Sequence, residues 1–480
     1  MIRIAALLAT SAAGIAVAGL PFTITPLVLQ NDEIEPGVLV TSIESLDVNN
    51  AGDWLLELAT NAPTAFNRLI VLNGAIEYRK GFGFPAPVGG LISSFDSVRI
   101  NNNAEIGWNL FFSELPSNAD TGVFFNDLLL IQEGDLSQPT SGLTVPSPYI
   151  GFFETRMNDN NEIFLVGTVD DPMIVSGVDR VLAWLDYDVV TNTHVETILW
   201  KESDVLPGQS EAALDFGTGT ENAAINNARQ AFFSVSLSGP TATNAALYRD
   251  AELIVQKGDE SPIAGRTYTN IGTSTRVDMN ASGDWVFVSN ISGDAADNIV
   301  IVDGGGIVAQ RGTQAPGTDP GTLINNFNSA PVRIDDSGNV FWYANLTGDA
   351  ATNQALYRNG DLIVRKGVAV DGLTFTSLAG STATGGITKG FSISQDGRYM
   401  LFRGILDNGL RGAFLVTFGD PPCGNSPDLD GDGEVNGADL GLLLGGWGPC
   451  VPGAPCPADL NCDGEVDGAD LGALLGAWTN

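Results

Sequence analysis

Asp428, Asp430 and Asp432 alternate along "DLDGDGEVNGAD", which Asp439 closes, and 31 residues later Asp459, Asn461, Asp463 and Asp470 repeat the arrangement in "DLNCDGEVDGAD". Oxygen-bearing side chains at alternate positions of a tight loop point inward and suit a hard cation that takes six to eight oxygens. On a twelve-residue calcium loop, the first three aspartates fill positions 1, 3 and 5 and Gly433 stands at position 6, where the chain turns sharply. Glu434 then offers its carbonyl at 7, Asn436 sits at 9 and Asp439 at 12. The second copy places Asp459, Asn461, Asp463, Gly464, Glu465, Asp467 and Asp470 in the same roles. Two Ca2+ ions are the expectation. Magnesium, which prefers to keep its waters, fits such loops poorly. From Cys423 to Asn480 there are ten acidic residues and no Lys or Arg. Without cations this segment repels itself, so calcium is expected to fold it as well as to bind it.

Each loop runs into an apolar stretch, "DLGLLLGGW" or "DLGALLGAW". Leu440, Leu443, Leu444 and Trp447 share one helical face, as do Leu471, Leu474, Leu475 and Trp478, and the two stripes are expected to pack together. No helix precedes either loop, because Pro421, Pro422 and Pro427 lead into the first and Pro452, Pro455 and Pro457 into the second. The stretch from Pro427 to Trp478 resembles a type I dockerin, with two calcium loops lacking entering helices, Asp at position 12 and a leucine-bearing helix after each loop. The resemblance implies a small three-helix, calcium-dependent module that docks onto cohesin domains in extracellular polysaccharide-degrading assemblies. Positions 10 and 11, which dockerins use to read cohesins, are Gly437-Ala438 and Gly468-Ala469 here, where Ser-Thr is usual. The partner is therefore expected to be a cohesin-like or another extracellular protein. All four cysteines (Cys423, Cys450, Cys456 and Cys462) lie in this tail. No histidine is nearby for zinc, so they read as disulfides stapling a thin core, with three pairings open.

The body of the chain repeats a different phrase. "LYRDAELIVQKGDESP" from Leu247 returns as "LYRNGDLIVRKGVAV" from Leu356, with looser copies from Ile70, Val123 and Val300 and a divergent one from Leu182. Each is two β-rich runs around a polar turn, the signal of a hairpin. The closing residue falls at Gly81, Gly134, Ser203, Gly258, Gly312 and Gly367, at gaps of 53, 69, 55, 54 and 55 residues. Before each hairpin comes a turn and an aromatic-rich strand, as in "VNNAGDWLLEL", "MNASGDWVFVSN", "IDDSGNVFWYAN" and "ISQDGRYMLFRG", seven in all. Four strands in some 55 residues is the size of a propeller blade. The seventh unit, Phe391 to Phe418, has only three strands, and "LVLQNDEIEPG" from Leu27 lines up with the missing fourth.

The expected fold class is thus mainly β: a seven-bladed β-propeller over residues 21–420, closed by an N-terminal strand, a linker at 421–427, and a small all-α calcium-binding dockerin-like domain at 428–480. The whole chain is also similar in architecture to secreted repetitive β proteins of planctomycete-like bacteria.

Composition narrows the function. The net charge of −35 argues against nucleic acid or an anionic membrane as partner. "MIRIAALLATSAAGIAVAGLPF" reads as a secretory signal peptide cleaved after Ala18, so residues 1–18 would be removed and the mature chain exported, extracellular or cell-surface, without a membrane-spanning segment. A Ser-His-Asp site would have to use His194, the only histidine, which reads as part of a hairpin tip or strand and is expected to be exposed, and no cysteine lies in the body to act as a nucleophile. The recurring arginines (Arg249, Arg311, Arg358, Arg365) imply blade structure rather than a substrate clamp. The favoured reading is a binding propeller for a protein or glycan. The alternative is a carbohydrate-active enzyme, a glycoside hydrolase or lyase of polysaccharide catabolism delivered by the dockerin-like module. It would need a carboxylate cluster that breaks blade symmetry, for which Asp170, Asp171, Asp186 and Asp188 of the irregular third blade are the candidates.

Overall fold

A computed structural model describes residues 22–83, 89–174, 179–191, 193–218, 221–327, 330–378, 390–418, 427–430, 433, 435–450, 456–460 and 465–479. The expected signal peptide (residues 1–18), nearly all of the expected linker, Asp432, Glu434, Asn461, Asp463, Cys423 and Cys462 lie outside the described residues. The chain divides into two compact units, one holding Thr25–Leu415 and one holding Val416–Asn480.

The first unit is a seven-bladed propeller of antiparallel sheets with four or five strands each. Blade 1 runs Val38–Val48, Trp54–Thr60, Arg68–Leu72 and Ala75–Arg79, and blades 2 to 6 repeat this order. In blade 7, Phe391–Ile393, Tyr399–Leu406 and Arg411–Phe418 receive Phe22–Leu29 as the outermost strand. The N-terminal strand therefore closes the ring and leaves the last blade with no missing edge. The expected hairpins are present, and their tight turns place Asn73, Asn126, Asp250 and Asn359 in the left-handed region. The closing residues take positive φ too, including Ser203 at 73° in the divergent blade. Glycine is required at most of them. A Cβ at Gly312 would stand 2.7 Å from the Ala296 carbonyl oxygen, and one at Gly367 2.4 Å from that of Ala351.

The apolar cores lie between blades. Trp108 of blade 2 packs with Leu55 and Ile70 of blade 1, and Trp342 of blade 6 with Val286 and Ile301 of blade 5. Each indole NH is satisfied by its own hairpin turn, Trp108 donating to the Asn126 carbonyl and Trp342 to that of Asn359.

A second contact ties the blades at the end of their first strands. Asn49, Asn101, Asn158, Asn226 and Asn280 are buried. The Nδ2 of each donates to the backbone carbonyl of its counterpart in the next blade at 3.0–3.3 Å, the last one reaching Asp335. The Oδ1 of the same side chain accepts backbone amides of its own turn, for instance Ala51 and Asp53 onto Asn49. The circuit is completed by backbone contacts, Asp336 N to the Gln395 carbonyl and Asp396 N to Asn50 Oδ1.

Among the described residues, the second unit holds two nine-residue helices, α1 (Gly437–Gly445) and α2 (Gly468–Gly476), and a two-stranded ribbon of Gly448–Pro449 with Glu465–Val466. The expected stripe packs only in part. Leu443 and Leu474 are fully buried and Leu440 and Leu471 half-buried, whereas Leu444, Trp447, Leu475 and Trp478 stay exposed. Two such short helices bury only a narrow seam, which leaves the outer half of each stripe exposed. Cys450 and Cys456 form a disulfide.

Asn158→Ala removes the bond to the Asn226 carbonyl and the acceptor for two turn amides at once. It is expected to cost about 2–3 kcal/mol, read as a lower urea midpoint, whereas Asn160→Ala on the exposed side of the same turn should cost under about 1 kcal/mol.

Candidate functional site

The C-terminal loops carry the strongest arrangement. Carboxylate oxygens of Asp428, Asp430 and Asp439 lie within 4.8 Å of one another. Gly433 adopts φ 91° and donates its amide to Asp428 Oδ2 at 2.9 Å, which turns the loop back on itself. Asp439 is fully buried, its Oδ1 accepting the amides of Leu429 and Asp430 and its Oδ2 that of Asn436. The amides of Asn436, Asp430 and Leu429, in that order of effect, hold its carboxyl below the usual carboxylate range. Asp470 repeats the arrangement with the amides of Leu460 and Asp467. Asn436 and Asp467, expected as position-9 ligands, act as helix N-caps that accept the amides of Ala438 and Ala469. Of the second loop, Asp459, Glu465, Asp467 and Asp470 are described, and Glu465 lies in the short ribbon. An all-oxygen donor set on a turn of this shape fits calcium.

The centre of the propeller is charged. Asp47, Arg99, Arg156, Asp278, Arg333 and Ser392 occupy equivalent positions of six blades around a cavity of about 130 Å³. Their side chains reach the neighbouring blade. Asp47 accepts the Ile100 amide and Asp278 that of Ile334, while Arg156 Nε donates to the Ala223 carbonyl. Glu221 sits 2.6 Å from Arg333 and 3.6 Å from Arg156. Burial pushes its pKa up, but Arg333, Arg156 and Arg99 outweigh it and hold Glu221 at about 2. At the girdle end, Asn102 bridges Gln395 and Asp159, and Asn227 also donates to Asp159. A cavity of this volume takes on the order of ten waters and lies below the usual range of small-molecule pockets. These charges brace the blades at the axis.

The third-blade candidates do not form a pair. Asp186 is bonded to Arg229, and Asp188 caps the hairpin tip through the amides of Val190 and Thr191. Asp171 is buried at the opposite end of the same ladder, where it shapes a turn with Asp179, and Asp170 adjoins it. His194 is not in the tip either. It lies on the strand Thr193–Lys201, only 19% accessible, with Nε2 3.5 Å from Glu196, because the strand register places it against Tyr187 in the blade edge. Arg249 pairs with Glu252 in its own blade and donates to the Gly283 carbonyl of the next, and Arg358 pairs with Asp335.

A symmetry-breaking acid cluster does occur, but between blades 1 and 2. Arg68 Nη1 stands 3.4 Å from Glu57 and 3.2 Å from Glu44, and Asp96 approaches from the next blade. Burial, with Glu44 and Asp96 adding to it against the pull of Arg68, raises Glu57 to about 8. Burial likewise raises Asp96 to about 6, against hydrogen bonds from Ser97 and Asn109. Glu57 lies within the recurring phrase "VNNAGDWLLEL" but nothing in that phrase singles it out, and Glu44 and Asp96 sit in strands that precede the recognisable turn of each repeat.

A seven-bladed propeller joined to a small two-helix module of convergent carboxylates is the class this architecture defines. The chain belongs to a family of unknown function (DUF7453), which matches residues 68–300 and again 196–383, two overlapping registers as a repeating chain would give. Neither match extends into the C-terminal module. No curated protein matches the sequence. Among solved structures, similar chains include Kluyvelomyces marxianus Hsv2 (9% identity, TM-score 0.32, covering 76% of this chain and 90% of that one). A Penicillium chrysogenum alpha-L-arabinanase complexed with arabinobiose gives 10%, 0.30, 82% and 98%, and polysaccharide lyase Uly1 gives 11%, 0.33, 85% and 91%. At such scores they carry no argument about activity, and the fold rests on the sheets themselves.

With Glu57 near 8 in the folded chain and 4.5 as an open carboxyl, folding takes up a proton between about pH 5 and 8. Its contribution to stability is therefore fully present below that window and lost as pH rises through it. Urea midpoints measured from pH 5 to 8.5 should fall less steeply in Glu57→Gln than in the wild type.

Proposed function

We propose that this chain is an exported bacterial protein in which the propeller presents a binding surface for a protein or glycan, and the C-terminal module, folded on two calcium ions, attaches it to an extracellular partner. The convergence of Asp428, Asp430 and Asp439 beside the left-handed Gly433 carries this reading. Calcium would supply the charge that lets four to five carboxylates share a loop, and in that way its binding free energy becomes folding free energy. Asp428, Asp430 and Asp439 would hold the first ion, with Asp432 and the Glu434 carbonyl completing the loop. Asp459, Asn461, Asp463, Glu465 and Asp470 would hold the second. Asn436 and Asp467 start the helices, and their capping fixes the approach of Asp439 and Asp470. A cohesin-like protein is one partner of the right kind. The Gly-Ala pairs at the helix starts point instead to a partner that reads backbone and small side chains.

The acid cluster at Glu44, Glu57 and Asp96 favours a second reading, a glycan hydrolase or lyase. Two carboxyls that share Arg68, one of them held protonated at neutral pH, are the ingredients of general acid catalysis. Their 13–15% accessibility weighs against it.

Residues 419–480 used as bait on the producer's secreted and cell-surface proteins should capture a partner with calcium, and lose it with chelator or in Asp439→Ala/Asp470→Ala. A partner retained equally in all three conditions would contradict calcium-dependent attachment. For the second reading, the purified chain should release or unsaturate sugars from extracellular polysaccharides, and Glu57→Gln should lower that rate at least about 100-fold. A Glu57→Gln chain as active as the wild type overturns it.

A further inference from the structure

The two loops of the C-terminal module are built alike but are not anchored alike. The first is held by hydrogen bonds alone among the described residues. Val435, its eighth residue, exchanges bonds with Thr479 just past α2, the Val435 amide donating to Thr479 Oγ1 at 2.7 Å and the Thr479 amide to the Val435 carbonyl at 2.9 Å. Val466, the eighth residue of the second loop, pairs in the equivalent way with Gly448 just past α1, and Pro449 pairs with Glu465. The strand that makes this pairing then continues into Cys450, which is cross-linked to Cys456. Cys456 in turn opens the turn that delivers the first residue of the same loop, for the Asp459 amide donates to the Cys456 carbonyl at 3.2 Å. The cross-link therefore joins the segment paired with the far half of the second loop to the segment leading into its near end. Both sulfurs lie within 4.8 Å of an Asp459 carboxylate oxygen, Cys450 Sγ being 3.6 Å from Oδ2, and Asp459 is 95% buried against them.

We propose that the Cys450–Cys456 disulfide is a positioning clamp for the second calcium loop, which fixes Asp459 relative to Glu465–Val466 and makes that loop's calcium affinity depend on the cross-link while the first loop's does not. The proposal rests on the calcium reading above. Its physical basis is preorganisation: carboxylates brought together without an ion repel, and a covalent tie across the loop keeps its two halves from separating. Disturbing such an outer support of a metal site typically weakens binding by about 10–100-fold. Among the described residues, the first loop spans a similar gap through the Thr479 bonds.

Calcium titration of the full chain by calorimetry tests this in four proteins. In Asp439→Asn, which leaves the second loop to bind, adding Cys450→Ser/Cys456→Ser should weaken calcium by about 10–100-fold. In Asp470→Asn, which leaves the first loop, the same serines should change affinity less than about threefold. An equal loss in both backgrounds, or no loss in the first, overturns the clamp. If a single-loop variant fails to fold, the Cys450→Ser/Cys456→Ser chain with both loops intact gives the answer. It should still bind two ions but with affinities split by about the same factor, and an unsplit isotherm identical to the wild type's contradicts the proposal. No calcium binding by the wild type itself would overturn the calcium reading, and the clamp with it, and is distinct from binding that ignores the cross-link.

Discussion

The hydrogen bond from a buried asparagine Nδ2 to the backbone carbonyl of the next blade is the contact on which the propeller depends. Each side chain spends its oxygen on shaping its own turn and its nitrogen on reaching the neighbour, so turn geometry and ring geometry are set by one residue. Removing it costs more than one bond, since a buried carbonyl and two turn amides lose their partner together. Where a blade lacks the asparagine, at Asp335 and Ser394, backbone amides take over, and the ring still closes through Asp336 and Asp396. The charged side chains just inside the girdle depend on this closure. Asp47, Asp278, Arg156 and Glu221 meet their partners only because adjacent blades are held in register, and in that arrangement buried charge is tolerated.

Much of this was legible in the sequence. The hairpin phrase with its closing glycine marked the blades, because a position with positive φ and no room for a Cβ tolerates few alternatives; even Ser203 betrays itself by spacing. The split seventh blade followed from counting strands. The girdle was not legible. "VNNAGDW" and its relatives signal a turn, but nothing in a turn says that its amide nitrogen points at another blade. The acid cluster at Glu44, Glu57 and Asp96 escaped for a similar reason. It is assembled from two blades, so no single stretch of sequence contains it, whereas the acids of the third blade are close in sequence and end up at opposite ends of a ladder. For His194 the sequence left tip and strand open; it lies on the strand, and its lower exposure follows from pairing across the sheet, which the local sequence does not show.

The C-terminal module inverts the problem. In the described part of its first loop, Asp428, Asp430 and Asp439 converge beside Gly433 as their spacing predicts, because side-chain direction in a tight loop is a local property, yet the packing of its helices was overestimated. Leu443 and Leu474 fill the seam, and Leu444, Trp447, Leu475 and Trp478 face outward. In a module this thin in core and this dense in carboxylate, the calcium proposed for its loops would supply much of the cohesion.

We therefore propose the tail of this chain as a calcium site in its own right. Equilibrium dialysis of the full chain against calcium at neutral pH and physiological salt counts the ions directly. The predicted result is two bound per chain in the wild type, falling to none in Asp439→Ala/Asp470→Ala. Fewer than one ion in the wild type, or two retained in that variant, would contradict it.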